Sequence, residues 1–425
     1  MWLVNLLNLI NAIIGAVFII CYSYQVFYII VALIKKPYRY KDTDARHRYA
    51  FIISARNEEE VIGELCDSIR AQNYPQDLID IYVVADNCSD STALVAREHG
   101  ATVYERDDSE KVGKGYGLTF LFDHIKPERG FEYYKGFFVV DADNILSENY
   151  VLEMNKAVDE GRRIIVCYRN SKNYGDNWIS AGYSLWFLRT ARHLNNPRNL
   201  LGVSCEVQGT GFFVDSDIIA RQGGWIHHLM IEDIEFTVDN VLKGEVVSYC
   251  HDAMIYDEQV TTFKQSFWQR KRWTKGYLQI LKYYGGKLIK AFFSGKGFSN
   301  FDMLMAISPA LLITTFAMVA NLAILIAAPF ICPEQFLSVL ISVILTLVGT
   351  YVFFFFVGLV SGIAEWDQMG TTKGKRIKSL LTFPAFMYTY LPIVAATLLS
   401  PKVEWKPIKH HAVKGMASKD IEKDD

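Results

Sequence analysis

Tyr49-Ala-Phe-Ile-Ile-Ser54, followed by Asp80-Ile-Tyr-Val-Val-Ala85 and its turn Asp86-Asn-Cys-Ser-Asp90, decides the fold class. Each apolar run is strand-length and stops at a polar turn. Between the two runs, residues from Glu58 to about Ala71 carry a helical pattern, with Asn57 as the expected N-cap. A second helix follows Asp90 and is expected to end at Gly100. Thr102-Val-Tyr104 and Gly136-Phe-Phe-Val-Val140 read as a third and a fourth strand. Short strands alternating with helices are the pattern of parallel βαβ units. In such open sheets ligands sit beyond the carboxyl ends of the strands. Three of those ends carry Asn57/Glu58, Asp86 and Asp141/Asp143, so a candidate site is expected there.

Around this block the composition changes. Of 425 residues 51% are apolar, and residues 5–34, 304–333 and 336–363 hold no charged side chain. A helix of roughly 20 apolar residues crosses the hydrocarbon core, so each stretch can span. A fourth uncharged stretch, 379–400, carries Pro384 and Pro392 and either spans or is re-entrant or interfacial, the prolines and a cytoplasmic tail favouring the latter. No basic start precedes the first run, whereas Lys35, Lys36, Arg39 and Lys41 follow it. It is therefore read as a retained anchor rather than a signal peptide. Positive charge on that side, and in Lys373–Lys378, places the block between spans in the cytoplasm. The expected organisation is an anchor (1–36), a cytoplasmic α/β domain (45–260), interfacial amphipathic helices (261–300), a membrane region (301–400) and a basic cytoplasmic tail (401–425). His410 and His411 in that tail are expected to be solvated. A net charge of −2 argues against a nucleic-acid partner. Seven cysteines without a CxxC pair read as buried thiols in a reducing compartment.

Chemistry is suggested by residue type and position. Asp141-Ala-Asp143 closes a strand with two carboxylates that can face one hard cation together with diphosphate oxygens, which suits Mg2+ or Mn2+. Taken alone, such a pair is also an ordinary solvated turn. Asp86 and Asp90 have a bland reading as turn and cap residues, and Asn57 with Glu60 as a capping arrangement. Lys111 and Lys114 lie in Lys-Val-Gly-Lys-Gly-Tyr-Gly, either a solvated loop or a backbone open to phosphate. Gln208-Gly-Thr-Gly211 forms a tight turn before the strand Phe212-Phe-Val214. Glu232 and Asp233 follow Ile231; one carboxylate can serve as a general base, or both can simply favour a helix N-terminus. Gln269-Arg-Lys-Arg-Trp273 lies in a basic, aromatic segment of interfacial character.

The order of these motifs over residues 50–275 resembles family-two glycosyltransferases, whose catalytic domain is an α/β nucleotide-sugar-binding (GT-A-like) fold. More narrowly, the chain is similar to processive membrane synthases of poly-N-acetylglucosamine, hyaluronan and cellulose. The resemblance implies that Ala55, Asn57, Glu58 and Asp86 contact the donor nucleotide, and that Lys114, Asp141, Arg270 and Arg272 meet its diphosphate. It implies Asp143, with Asp141, as metal ligand, and Asp233, beside Glu232, as catalytic base. Gln208, Gly209, Thr210, Gln269 and Trp273 fall on the acceptor side. The implied activity is inverting transfer from a UDP-sugar, UDP-N-acetylglucosamine or UDP-glucose, to a growing β-linked polysaccharide coupled to export. The alternative is a single transfer to a lipid carrier or glycolipid. The implied partners are the bilayer, a glycan acceptor and, because the spans are few, a partner subunit or a second copy. Ile231 departs from the threonine frequent at that position, and the tail 401–425 is too short for a cyclic-dinucleotide-binding domain.

Overall fold

The computed structural model describes residues 1–307 and 309–400; the expected tail, with His410 and His411, lies outside them. The chain opens with a 33-residue apolar helix, α1 (Trp2–Ile34). An α/β unit follows, beginning β1 (Tyr49–Ala55), α2 (Ile62–Arg70), β2 (Ile79–Asp86), α3 (Thr92–Glu98) and β3 (Thr102–Arg106). It continues through α4 (Lys114–Arg129), β4 (Gly136–Asp141), β5 (Ile145–Leu146), α5 (Tyr150–Asp159) and β6 (Ile164–Ser171). Next come α6 (Trp178–Thr190), a π-helical turn, α7 (Asn196–Leu200), β7 (Phe212–Asp215), α8 (Ser216–Gln222), α9 (Glu232–Leu242) and β8 (Val247–Asp257). The remaining helices are α10 (Phe263–Phe293), α11 (Phe298–Ile307), α12 (Pro309–Ile331), α13 (Phe336–Ala364), α14 (Lys373–Tyr388) and α15 (Tyr390–Leu399).

Eight strands form one sheet in the order β3-β2-β1-β4-β7-β6-β8-β5. The apolar runs are continuous because both faces are covered. Ala50 and Ile52 pack with Leu118 and Phe122 on one side, while Phe51 and Ile53 pack with Ile62, Leu65 and Ile69 on the other. This is the GT-A-like fold that the resemblance implies. The parallel βαβ pattern describes only part of the sheet. The pairs β1–β2, β1–β4 and β2–β3 are parallel, but β7 is antiparallel to both β4 and β6. That reversal sets the site. With Val139 opposite Phe212, the turn leading into β7 arrives at the same sheet end as Asp141.

The helix expected from Glu58 starts at Ile62, and Asn57 does not cap it. Asn57 adopts φ 57°, and its Oδ1 accepts the Ser89 N–H at 2.8 Å. The Glu58 N–H donates to Thr92 Oγ1 at 2.8 Å. The post-β1 loop is thus tied to the post-β2 turn rather than wound into a helix.

Among the described residues four helical stretches are long and apolar enough to cross a bilayer: Trp2–Ile34, Phe298–Ile331, Pro333–Ala364 and Lys373–Leu399. α1 runs antiparallel to α11 and α12. Leu3, Val4 and Leu7 pack on Ala328, Cys332 and Val339, and Asn11 bonds Asn321 at 3.1 Å. Tyr24 and Tyr28 near its other end reach Asp302. The segment with Pro384 and Pro392 is long enough to span but is divided at Thr389. Its first part, α14, packs Phe383 and Phe386 in the same core as α6, where Gly182 leaves room for the Phe386 ring.

Candidate functional site

The ends of β1, β2 and β4 and the turn before β7 open into a cavity of about 1360 Å3. Asp86 is buried at the end of β2 and takes the Arg106 Nη1 donor at 2.5 Å. Burial pushes the Asp86 carboxyl up, and Arg106 opposes the rise. Arg106 also donates to Asp108 Oδ2 and to the Lys111 carbonyl, so it fixes the loop after β3 to Asp86. Glu58 lines the same cavity.

Lys114, the first residue of α4, forms an ion pair with Asp141 and donates to the Gly209 carbonyl at 2.7 Å. Burial alone would discharge this lysine; Asp141, with Glu232 and Asp233 behind it, holds its ammonium above the usual range. The Asp141 N–H donates to Thr210 Oγ1 at 2.8 Å, and Thr210 Oγ1 in turn bonds Asn144. Asp143, 5% exposed, accepts the Glu258 N–H on Oδ2 at 3.3 Å. Beneath it Asp257 takes Asn144 Nδ2 at 3.1 Å, Gln259 Nε2 at 2.8 Å and the Arg169 guanidinium. The loop carrying both aspartates is thereby held on three sides.

Glu232 and Asp233 are the first two residues of α9, which favours acidic side chains at that position. Burial pushes both carboxyls up; Asp233 adds to the rise at Glu232, while Lys114 draws both down. Gly209 has φ 85°, and any Cβ there would lie 3.9 Å from Oδ2 of both Asp141 and Asp233. A glycine keeps that gap open and accepts the left-handed backbone without strain. Gly211 has φ 65°, and a Cβ there would meet Cys167 Sγ at 2.5 Å.

Gln208, Gly209, Gln269, Arg272 and Trp273 line the cavity with Asp86, Lys114, Asp141, Asp143, Glu232 and Asp233. Four expected residues sit elsewhere. Ala55 is a buried strand residue whose carbonyl accepts from Cys88 Sγ. Asn57 braces the turn at Ser89, and Thr210 braces the Asp141 loop from below. Arg270, fully buried, does not face the cavity. Its guanidinium lies 4.6 Å from the Phe386 ring centre and 4.7 Å from that of Tyr390, with Nη1 donating to the Phe386 carbonyl. The aromatic rings and the Phe386 carbonyl are what this cation meets among the described residues.

Residues that motif reading missed include Arg169 and Asp257 under the loop, and Glu206 on the cavity wall. An acid between the buried Cys205 and Val207 was the available signal for Glu206. Burial pushes its carboxyl from 4.5 to about 7, against Arg198 and with Asp233. The folded value lies above the unfolded one, so the favourable neutral form is complete below 4.5 and is lost as pH rises through about 7. Glu206→Gln is therefore expected to match the wild type near pH 4.5 and to exceed its stability above pH 7 by roughly 1–3 kcal/mol. Thermal unfolding in detergent at the two pH values checks this; an equal difference at both would refute it.

From these carboxylates the cavity continues between the apolar helices. Its far wall includes Val26 of α1, Leu322 of α12, Phe353 and Val357 of α13 and Val394 of α15.

Comparison with known proteins agrees with the geometry. Residues 47–276 match the family model "Glycosyltransferase like family 2". A beta-monoglucosyldiacylglycerol synthase of Trichormus variabilis is 24% identical over 308 residues, covering 69% of this chain and 63% of the relative. The chain thus spans less than two thirds of that relative. A 4,4'-diaponeurosporenoate glycosyltransferase of Staphylococcus aureus is 49% identical over 69 residues, 16% of this chain and 17% of the relative. Among solved structures, a mannosyltransferase from Pyrobaculum calidifontis, in complex with GDP-Man and Mn2+, superposes with a TM-score of 0.57 at 17% identity. The superposition covers 92% of this chain and 99% of the other, a likeness of fold.

Proposed function

The chain belongs to the glycosyltransferase-like family 2, and from that premise we propose that it transfers a sugar from a UDP-sugar to a lipid acceptor. The observation that carries this reading is the single cavity running from Asp141 and Asp233 to the cleft between α1, α12 and α13. A water-soluble donor fits its polar end, and the hydrocarbon tail of an acceptor fits its apolar end. This reverses the ranking that the motif order suggested, in which a growing polysaccharide was the first acceptor. The names of the relatives, a glucosyldiacylglycerol synthase and a carotenoid-acid glycosyltransferase, support the lipid reading, and the former puts UDP-glucose ahead of UDP-N-acetylglucosamine.

In this reading Asp86 and Glu58 hold the nucleoside and Lys114 and Arg272 meet the diphosphate. Asp141 and Asp143 suit a divalent cation. They face the cavity together, and the described residues hold no cluster of three or more His, Cys, Asp or Glu that would close a metal site without substrate oxygens. When bound, Mg2+ or Mn2+ would supply positive charge for the departing diphosphate. Asp233 takes the proton from the acceptor hydroxyl as it attacks the anomeric carbon in line, which inverts the configuration. Gly209 leaves open the space that the sugar needs between Asp141 and Asp233. Gln208, Gln269 and Trp273 contact the acceptor side, the indole offering a flat face to a ring.

We place residues 45–260 in the cytoplasm. The basic residues after α1 and at Lys373–Lys378 support this, as does the α1 start lying beside the α12–α13 turn, where the Leu3 N–H donates to Gln335 Oε1 at 3.1 Å. The test is product analysis with labelled UDP-glucose and membranes. An organic-extractable glycolipid carrying one sugar is expected, chelation should abolish its formation, and Mn2+ or Mg2+ should restore it. A long water-soluble polymer, or chelator-resistant turnover, would sink the corresponding part.

A further inference from the structure

Between the carboxylates and the apolar cleft the same cavity wall carries Gln25, Arg189, His193, Arg198 and Glu206. These residues belong to no motif and have no part in the transfer step described above. Arg198, 1% exposed, gives Nε and Nη2 to the two oxygens of Asp302 at 2.8 Å each, while its buried Nη1 has no hydrogen bond among the described residues. Arg189 makes no ion pair among the described residues; Nη2 donates to Gln25 Oε1 at 2.9 Å, and the guanidinium lies 5.0 Å from the Trp186 ring centre. Burial, and then Arg198, push Arg189 down to about 10, and burial with Arg189 and Arg192 pushes His193 down to about 4. Asp302 offsets Arg198, and Glu206, between Arg198 and Asp233 in its electrostatic surroundings, is only partly ionised near neutrality. The surplus charge is therefore positive, and Arg198 Nη1 is left without an acceptor among the described residues. A guanidinium with free N–H groups in a low-dielectric wall is the preferred partner of carboxylate and phosphate oxygens.

We propose that Arg189 and Arg198 form an oxyanion subsite for the headgroup of the acceptor, making that acceptor a lipid that carries a carboxylate or a phosphate. The inference rests on the lipid-transfer reading and narrows it, since a neutral diacylglycerol offers these donors ester and hydroxyl oxygens but no charge to balance them.

The experiment uses the full chain in nanodiscs and fluorescent lipids of one chain length ending in carboxylate, phosphate or hydroxyl. Binding is measured on the Asp233→Asn form so that no turnover intervenes. Both anionic probes are expected to bind about 10- to 100-fold more tightly than the neutral one. Arg189→Gln should erase that difference, and Arg189→Lys should retain part of it. Equal affinity for the neutral probe, or equal weakening of all three by Arg189→Gln, would overturn the proposal. Displacement by inorganic phosphate as effective as by the lipid phosphate would also overturn it, making the site one for a soluble anion. Preference for anionic lipid in a protein whose labelled product is a polymer would leave the subsite standing and remove the transfer reading.

Discussion

Replacing Asp233 by asparagine is expected to lower the rate of sugar transfer by about 100- to 10,000-fold, with donor binding changed by no more than a few-fold. The amide preserves the shape of a half-buried side chain at the start of α9 and cannot take a proton. Lys114 keeps its pairing with Asp141, so the donor end retains its main cation. Burial holds the Asp233 carboxyl above its ordinary range, so its base form accumulates only as the pH rises past that range. The wild-type rate should accordingly fall on the acid side, and the residual rate of Asp233→Asn should lose that limb. Single-turnover kinetics with labelled donor, together with calorimetric donor binding, separate the two effects. A rate within a few-fold of wild type would remove Asp233 as the base.

Asp302→Ala is expected to destabilise the protein by about 3–5 kcal/mol. Asp302 and Arg198 are both buried, and the carboxylate accepts four donors: two from Arg198, and the hydroxyls of Tyr24 at 2.9 Å and Tyr28 at 2.8 Å. Removing the carboxylate leaves a buried guanidinium, the buried Tyr28 hydroxyl and the half-buried Tyr24 hydroxyl without their acceptor. The cluster joins α1, α7 and α11, so the loss should loosen α1 from the α/β unit. Combining Arg198→Met with Asp302→Leu removes both charges and should recover most of the stability, which a single loss cannot. Thermal unfolding in detergent of the single and double variants measures the difference. A double variant no more stable than Asp302→Ala would show that the tyrosine contacts, not the charge, dominate.

Much of the fold was legible because burial on both faces writes strands as unbroken apolar runs. Phe137, Phe138, Val139 and Val140 are all buried, and so is every residue from Tyr49 to Ile53. The cavity carboxylates were legible because they follow such runs directly. What failed depended on partners far along the chain. Whether Arg270 meets phosphate or aromatic rings is decided by Phe386 and Tyr390, on helices more than a hundred residues later. The family resemblance put Thr210 on the acceptor side; the antiparallel setting of β7 brings its hydroxyl to the Asp141 N–H. Asn57 looked like a cap because Asn before a helix often is one, but Ser89 competes for its side chain. The proposed change of acceptor has a different origin. The motifs describe donor chemistry, and the cleft between the apolar helices carries no motif.

The reversed strand β7 also governs the order in which this molecule becomes itself. Asp141 is tied to Thr210 across 69 positions, Lys114 to Gly209 across 95 and Asn144 to Asp257 across 113. Contacts of that span form only after long loops have closed, at an entropic cost that earlier local pairing does not offset. A chain emerging from the ribosome can pair β1 with β2 and β4 while the aspartate loop still lacks its clasps. The floor is complete only when β7 has entered between β4 and β6 and β8 has delivered Asp257. A chain that stops short of β7 and β8 therefore carries the aspartates without the residues that clasp them.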